Sequence, residues 1–252
     1  MGKYSFKLCG VQLQLNTPRE LWVEPASEQF LTQGENPDVV VDLRAEEEIV
    51  QQADLCRSCR EKPVWRDGQR IFRGSHDLFR EKMHCCTEYD LSDGCRFLCR
   101  VRKEDWLWAT RSKYLWTGIQ LNYILLHHRG LMFHASCIDH EGRGILFAAP
   151  SGTGKSTQAE LWRVHRGARI INGDKAGITL WDAPIVHGVP FSGTSGICEN
   201  VSVPLKAVVV LSQSAENKVC RLTPTQSLAA LCPNLFVNQA VPEEWPLALN
   251  LL

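Results

Sequence analysis

The sequence predicts an α/β protein in which a mostly β first part is followed by a part where strands and helices alternate. Three observations carry this prediction. Apolar and polar residues alternate from Tyr4 to Leu15, as in strands. From Tyr114 to Arg129, apolar residues recur every three or four positions, which indicates a helix. An apolar strand, a glycine-rich loop and the start of another helix then follow within residues 144–162.

Composition limits the classes of partner. The 252 residues suffice for one large or two modest domains. Lys plus Arg and Asp plus Glu number 28 each, so nothing in the charge favours a nucleic-acid partner. The N-terminus lacks the apolar segment of a signal peptide, and no apolar run is long enough to span a bilayer. We therefore expect a cytoplasmic protein that binds neither nucleic acid nor membrane.

Residues 1–112 are expected to form a mostly β N-terminal domain without a chemical motif. Gly10 separates the first two apolar alternations and predicts a hairpin turn or a bulge. Pro and Gly residues punctuate the later strands. Strands are predicted at 4–8, 11–15, 39–41, 70–73, 96–101 and 106–109.

The cysteines of this part leave two interpretations open. An odd number, eleven in the whole chain, is a poor disulfide framework in a reducing compartment. They could hold a structural zinc, or they could be buried free thiols that act as small apolar side chains. The candidate zinc ligands are Cys56, Cys59, His84, Cys85, Cys86, Cys95 and Cys99.

Residues 113–252 are expected to form the second domain. It begins with the helix at 114–129, with Gly130 at the helix C-cap. Strands are predicted at 131–138, 144–148, 168–174 and 203–211. Thr223 and Gln226 form a predicted capping box before a further helix.

The segment Ala149–Thr157 carries the strongest chemical signal in the chain. Between a strand and a helix, its backbone N–H groups and the helix N-terminus can surround a polyphosphate. Lys155 would reach the β- and γ-phosphates, and the Ser156 hydroxyl would ligate Mg²⁺. Ala149 stands where the Walker A pattern has glycine, and a solvated serine-rich loop is the alternative interpretation. The predicted nucleotide-binding residues are Ser151, Gly152, Thr153, Gly154, Lys155, Ser156 and Thr157.

Three further residues are candidates for this site. Asp174 follows an apolar strand, and ligands of open α/β sheets bind at the carboxyl ends of strands, so it is a candidate Mg²⁺ ligand. The alternative for Asp174 is a turn former before Lys175. His134, on a neighbouring predicted strand, could assist proton transfer or be a core histidine. His187 lies in a glycine- and hydroxyl-rich segment, 186–196, that is predicted to be a loop beside the site.

The order of these motifs resembles a known family. His134-Ala135-Ser136, the loop SGTGKS at 151–156 and the strand that ends at Asp174 are similar to the catalytic domain of HPr kinase/phosphorylase. That family shares its fold with ATP-dependent phosphoenolpyruvate carboxykinase. The resemblance covers the chain from Tyr114 onward. It implies a P-loop kinase domain that uses ATP and Mg²⁺ to phosphorylate a serine hydroxyl on a protein or peptide, with Lys155, Asp174 and His134 as catalytic residues.

The chain departs from that family at two positions. The family has two adjacent aspartates where this chain has Gly173-Asp174, so Asp174 keeps the metal role, while His134 or a residue near His187 would receive the proton. His187-Gly188 replaces an arginine-glycine segment used in phosphorolysis, so that reverse reaction is not expected. A small-molecule kinase and a non-catalytic ATP-binding module remain as alternatives. The first domain could recognise the acceptor or mediate assembly. Formation of a homo-oligomer is a further alternative.

Overall fold

The chain divides into two compact units in its computed structural model. The first unit contains residues 1–128 and 238–246, and the second contains residues 129–237 and 247–252. The structure describes residues 1–50, 54–57, 62–77, 82–191, 193 and 195–252, with the backbone alone for 54–57, 76, 77, 112 and 113. No helix within these ranges has both the length and the apolar character that a bilayer crossing requires.

The described part of the first unit contains an eight-stranded mixed sheet. Its strands are β1 (Gly2–Leu8), β2 (Val11–Thr17), β3 (Val39–Glu46), β4 (Asp54–Arg57), β5 (Val64–Asp67), β6 (Arg70–Asp77), β7 (Lys82–Asp90) and β8 (Asp93–Arg102). Their order in the sheet is β1-β2-β3-β8-β7-β6-β5-β4. β3 runs parallel to both of its neighbours, and the other neighbouring pairs are antiparallel.

The β1–β2 hairpin forms as its alternating pattern predicts. Val11, Leu13 and Leu15 are buried, whereas the intervening glutamines are partly exposed, so one face of the hairpin packs into the core. Cys9 and Gly10 both have positive φ and form the two-residue turn, whose twist matches that of the strands. The strands expected at 39–41, 70–73 and 96–101 are also confirmed, as parts of β3, β6 and β8.

The helices of the first unit depart from two predictions. They are α1 (Pro25–Glu28), α2 (Trp106–Ala109), α3 (Ser112–Gly118) and α4 (Leu121–His127). The strand predicted at 106–109 is wrong, because Trp106 and Ala109 are buried at the helical i, i+3 spacing while the two residues between them are exposed.

The single helix expected over 114–129 is broken. Gln120 has a left-handed φ of 62° and separates α3 from α4. The predicted C-cap is also wrong, since Arg129 adopts the positive φ and Gly130 begins the next strand. α3 lies against β7 and α4 against β8, so both helices group with the first unit. The boundary expected between residues 112 and 113 therefore differs from the division at 128/129, because these tertiary contacts tie the helices to the preceding sheet.

The second unit contains six strands and a long helix among its described residues. Its elements are β9 (Gly130–His140), β10 (Arg143–Ala148), α5 (Lys155–Arg166), β11 (Arg169–Asn172), β12 (Lys175–Leu180), β13 (Pro184–Gly188), β14 (Ser202–Val210) and α6 (Pro224–Leu231). α7 (Glu244–Leu249) follows near the C-terminus. The capping box predicted at Thr223 and Gln226 is confirmed, with both reciprocal hydrogen bonds present.

The sheet of the second unit is mixed. Its order is β10-β14-β13-β12-β9-β11. Because β10 also pairs with β9, the strands from β10 through β14, β13 and β12 to β9 form a closed ring of hydrogen-bonded neighbours. The strand predicted at 144–148 is confirmed as part of β10, which is parallel to β14 and antiparallel to β9.

This topology brings two chain segments to one edge of the sheet. β10 and β11 lie on opposite sides of β9, and both are antiparallel to it, so they run in the same direction. The segment after Ala148 and the segment after Asn172 therefore leave the sheet at the same end. His134 of β9 lies one residue before Ala135, which pairs with Ala148, so it is at this end as well.

Candidate functional site

The loop between β10 and α5 has a backbone that favours glycine at two positions. Gly152 has φ 78°, and Gly154, which caps α5, has φ 114°. L-residues rarely adopt these conformations without strain. Apart from its chain neighbours, a Cβ added at either glycine would meet no atom of the described residues within 4 Å, so these residues leave the space on this side of the loop open. The loop curves as the sequence predicts, and both glycines serve its backbone geometry.

Several backbone donors of the loop lack a protein acceptor. The amide of Thr153 donates to the Pro150 carbonyl at 3.4 Å, and no side chain caps α5. Within the described part of the chain, no hydrogen bond to backbone or side chain is made by the amides of Gly152, Gly154, Lys155, Ser156 and Thr157. Such donors at a helix N-terminus, where the helix dipole is positive, are suited to an anion.

Lys155 is buried, and no anionic side chain of the described residues is in hydrogen-bond contact with it. Its side chain folds back over the loop, and Nζ donates to the carbonyl oxygens of Ala149 and Pro150 at 2.9 and 3.2 Å. The residue is 8% exposed. Burial lowers the pKa of Lys155, and the negative charge of Asp174 opposes that shift. The side chains of Ser151, Ser156 and Thr157, by contrast, are exposed.

Asn172 fixes the turn that carries Asp174. Its side chain is fully buried, and Nδ2 donates to the carbonyls of Val189 and Phe191 at 2.9 and 2.7 Å. Its Oδ1 accepts the backbone amides of Asp174 and Lys175, each at 2.9 Å. This Asx turn ends β11 and sets the direction of the Asp174 carboxylate.

His134 lies beside this carboxylate. Its Nδ1 is 3.5 Å from Oδ1 of Asp174, and about a third of the His134 side chain is exposed. Burial is the largest cause that lowers the pKa of His134; the positive charges of Lys155 and Lys175 act in the same direction, and Asp174 opposes them. His134 is therefore mostly neutral at pH 7 and can accept a proton.

Lys175 is a site residue for which the sequence indicates only a position after a possible turn at Asp174. It pairs with His134 in the β12–β9 register, and its ammonium contacts Oδ2 of Asp174. Its Nζ also lies 4.9 Å from the ring centroid of Phe191 and 5.4 Å from that of Phe236, both within cation–π range. The Asx turn was detectable as Asn172 two positions before Asp174. The two rings had no local signal, because they come from distant parts of the sequence.

The segment 186–196 is only partly the loop that was predicted. Residues 186–188 are the end of β13, so the interpretation of His187 as a loop residue is wrong. Its ring nitrogens lie 2.8 Å from the Thr179 hydroxyl and 2.7 Å from the Ser202 hydroxyl, and burial lowers its pKa to about 4. His187 is thus a core histidine with both nitrogens engaged.

The rest of that segment does lie beside Asp174. A Cβ added at Gly193 would be 2.5 Å from Cβ of Asp174, and one added at Gly173 would be 2.1 Å from Oγ of Ser195. The Ser195 side chain therefore occupies the space that a side chain at position 173 would need. Residues 192 and 194 lie outside the described residues.

The zinc interpretation gains no support from the part of the chain that the structure describes. There, no group of three or more His, Cys, Asp and Glu side chains could hold a metal ion. Cys85, Cys86 and Cys99 are buried free thiols whose pKa values are raised, with burial as the largest cause. Cys95 is exposed. Cys59 and the side chain of Cys56 lie outside the described residues.

Comparison with known proteins places the chain in a family. The family model described as "ScmC: SynChlorMet cassette protein ScmC" matches residues 99–245, which is more than half of the chain. The chain belongs to the ScmC family. The match includes the loop at 149–157, His134 and Asp174. No curated protein gives a significant match. The description of the ScmC family names membership of a cassette and no reaction, so it carries no chemistry over to this chain.

Proposed function

We propose that this protein is an ATP-dependent kinase that transfers the γ-phosphoryl group to a serine hydroxyl on a protein or peptide. The second unit would be a P-loop catalytic domain of the HPr kinase/phosphoenolpyruvate carboxykinase type. The observation that carries the proposal is the loop at residues 149–157. There, the backbone amides of residues 152 and 154–157 have no acceptor among the described residues and lie next to a buried lysine.

The loop has the donors that a nucleotide polyphosphate needs. The amides of residues 152 and 154–157 would bind phosphate oxygens, and the described residues leave the space beside both glycines open. Among the described residues, the hydrogen-bond partners of Lys155 are two neutral carbonyl oxygens. Since a buried ammonium gains most from an anion, the β- and γ-phosphates are suitable partners for Lys155.

Two oxygen atoms of the protein support the proposal that Mg²⁺ binds at the same site. Ser156 provides an exposed hydroxyl in the first turn of α5, and Asp174 provides a carboxylate at the same edge of the sheet. Mg²⁺ that is bound with a nucleotide commonly has one or two protein ligands, and phosphates and water complete its coordination. When bound, Mg²⁺ would neutralise charge on the transferring phosphoryl group.

His134 is the residue that we assign to the proton of the acceptor hydroxyl. Its lowered pKa keeps the ring neutral, and its contact with Asp174 would stabilise the imidazolium after proton transfer. His187 is excluded from this role because two hydroxyl groups already engage its ring nitrogens. His134 can thus serve where the aspartate replaced by Gly173 is missing.

A non-catalytic ATP-binding module is the second candidate. The observation that favours it is Gly173, whose neighbouring space is filled by Ser195 instead of by a carboxylate. Such a module would bind ATP through the same loop amides and Lys155 without transferring the phosphoryl group. Binding alone therefore cannot distinguish the two functions, and the decisive measurement is transfer.

The test is transfer from γ-³²P-labelled ATP to serine-containing peptides, to cell lysate proteins and to small-molecule acceptors. We expect labelled phosphoserine with the wild-type protein and with Lys206→Ala, an exposed lysine on β14, but not with Lys155→Ala. Label on a small molecule alone would contradict the peptide acceptor. Saturating Mg-ATP should also raise the melting temperature, since a ligand at about 100 times its Kd adds roughly 2.7 kcal/mol. Thermal stabilisation without label on any acceptor would support the non-catalytic module. The absence of both stabilisation and label would contradict nucleotide binding itself.

A further inference from the structure

The ammonium of Lys175 occupies one oxygen of the carboxylate that we assign to Mg²⁺. Its contact is with Oδ2 of Asp174, and the side chains of Lys175 and Asp174 are 21% and 23% exposed. The ammonium uses one of about four lone-pair sites of the carboxylate, so a divalent cation on the same group would lie close to a like charge. Lys175 and the metal therefore compete for Asp174.

Two aromatic rings give Lys175 a second set of partners. Phe191 follows β13, and Phe236 follows α6; their ring centroids lie 4.9 and 5.4 Å from Nζ. The amide of Phe236 donates to the Met132 carbonyl at 2.9 Å, which fixes this ring position beside β9. A cation between two ring faces keeps favourable electrostatic contact when it loses the carboxylate. The rings thereby reduce the free-energy cost of releasing Asp174.

We propose that Lys175 is an internal counter-ion of Asp174 that the divalent cation of a bound nucleotide displaces. Asp174 is thus neutralised in the nucleotide-free protein, and the metal ligates it only together with the nucleotide, whose phosphates add ligands. Lys175 is a positioning residue in this arrangement, and the displaced ammonium remains between Phe191 and Phe236. This inference rests on the proposed nucleotide site.

The experiment measures the affinity of a non-hydrolysable ATP analogue with EDTA and with saturating Mg²⁺. The ratio of the two affinities is the enhancement by the metal. We expect Lys175→Met, which keeps the length of the side chain and removes its charge, to raise this enhancement about fivefold. Lys175→Arg retains a cation that can stack on the rings and should behave like the wild type. Lys206→Met, on the exposed side of β14, is the matched control and should also leave the enhancement unchanged.

The double variant Lys175→Met/Asp174→Asn shows whether the gain acts through the carboxylate, and it should abolish the gain. If Lys175→Met unfolds, as judged by circular dichroism, Lys175→Gln replaces it in the same series. An enhancement equal to that of the wild type, in a folded charge-removing variant, would overturn the counter-ion role and leave the nucleotide site intact. Absence of analogue binding to the wild-type protein would instead overturn the proposed function and this inference together.

Discussion

Two buried charged regions of the molecule differ in where their partners come from. In the first unit, Asp105 lies 2.5 Å from Nε of Arg102 and 2.9 Å from Nδ1 of His84, and all three residues are buried. In the second unit, Lys155 is equally buried, yet its hydrogen-bond partners are two backbone carbonyls. An ammonium near neutral oxygens is less stabilised than one near an anion. The ammonium of Lys155 would therefore be stabilised further by an anionic ligand.

The pairing of the first region is internal to the fold. Asp105 sits between two cationic or protonatable groups, although the contacts from Nη2 of Arg102 and from His84 have ion-pair distance without hydrogen-bond geometry. The ring of His84 packs at 4.5 Å from that of Trp108. Burial of a charge therefore does not by itself indicate function. The informative observation is a buried charge whose complement is missing from the described fold.

The largest expected effect is that of Asp174→Ala on phosphoryl transfer. Removal of the carboxylate takes away a metal ligand, and we expect turnover to fall at least about 1,000-fold, because charge neutralisation provides most of the catalysis of this reaction. The measurement is the steady-state rate at saturating Mg-ATP. The melting temperature without nucleotide serves as the control for folding. Turnover within a few-fold of the wild type would remove Asp174 from the site.

The next effect concerns the internally paired region. Asp105→Ala leaves the guanidinium of Arg102 buried without its main partner, which should lower the free energy of unfolding by about 3–5 kcal/mol. Urea denaturation measures this loss. The ATP affinity of the folded protein should stay at the wild-type value. A change below about 1 kcal/mol would show that Asp105 is not the anchor of this cluster.

His187 provides a pH-dependent effect of slightly smaller size. Its pKa in the folded protein is about 4, below the ordinary 6.5, so the unfolded chain takes up a proton first as the pH falls. The contribution to stability is complete above pH 6.5 and is lost between about 6.5 and 4, which amounts to about 3 kcal/mol. His187→Gln cannot take up this proton, and its unfolding free energy should fall less with acid than that of the wild type. Parallel pH profiles would contradict the buried neutral state.

The smallest effect concerns His134, the histidine beside Asp174 that we assign to the proton of the acceptor. His134→Gln should reduce turnover about 100-fold, the lower end of general acid–base contributions. Because burial lowers the pKa of His134, the acid limb of wild-type turnover should lie at a lower pH than that of an ordinary histidine. The variant should lack this acid limb in its pH–rate profile. An unchanged limb in the variant would assign the proton to another residue.

Local sequence patterns determined much of this fold and the position of the candidate loop. The β1–β2 hairpin, the capping box at Thr223 and the strand–loop–helix at residues 143–166 follow from alternation, side-chain capping and glycine spacing. Each of these signals depends on residues within a few positions of one another. For the same reason, Asp174 could be placed at a strand end from the sequence alone.

The tertiary structure decided the features that depend on distant residues. It broke the helix at Gln120, made a helix of residues 106–109 and placed His187 in the core, because burial against neighbouring elements outweighs short local patterns. It also placed Phe191 and Phe236 around Lys175. Periodicity encodes which face of an element is apolar, but not which distant side chain packs against it.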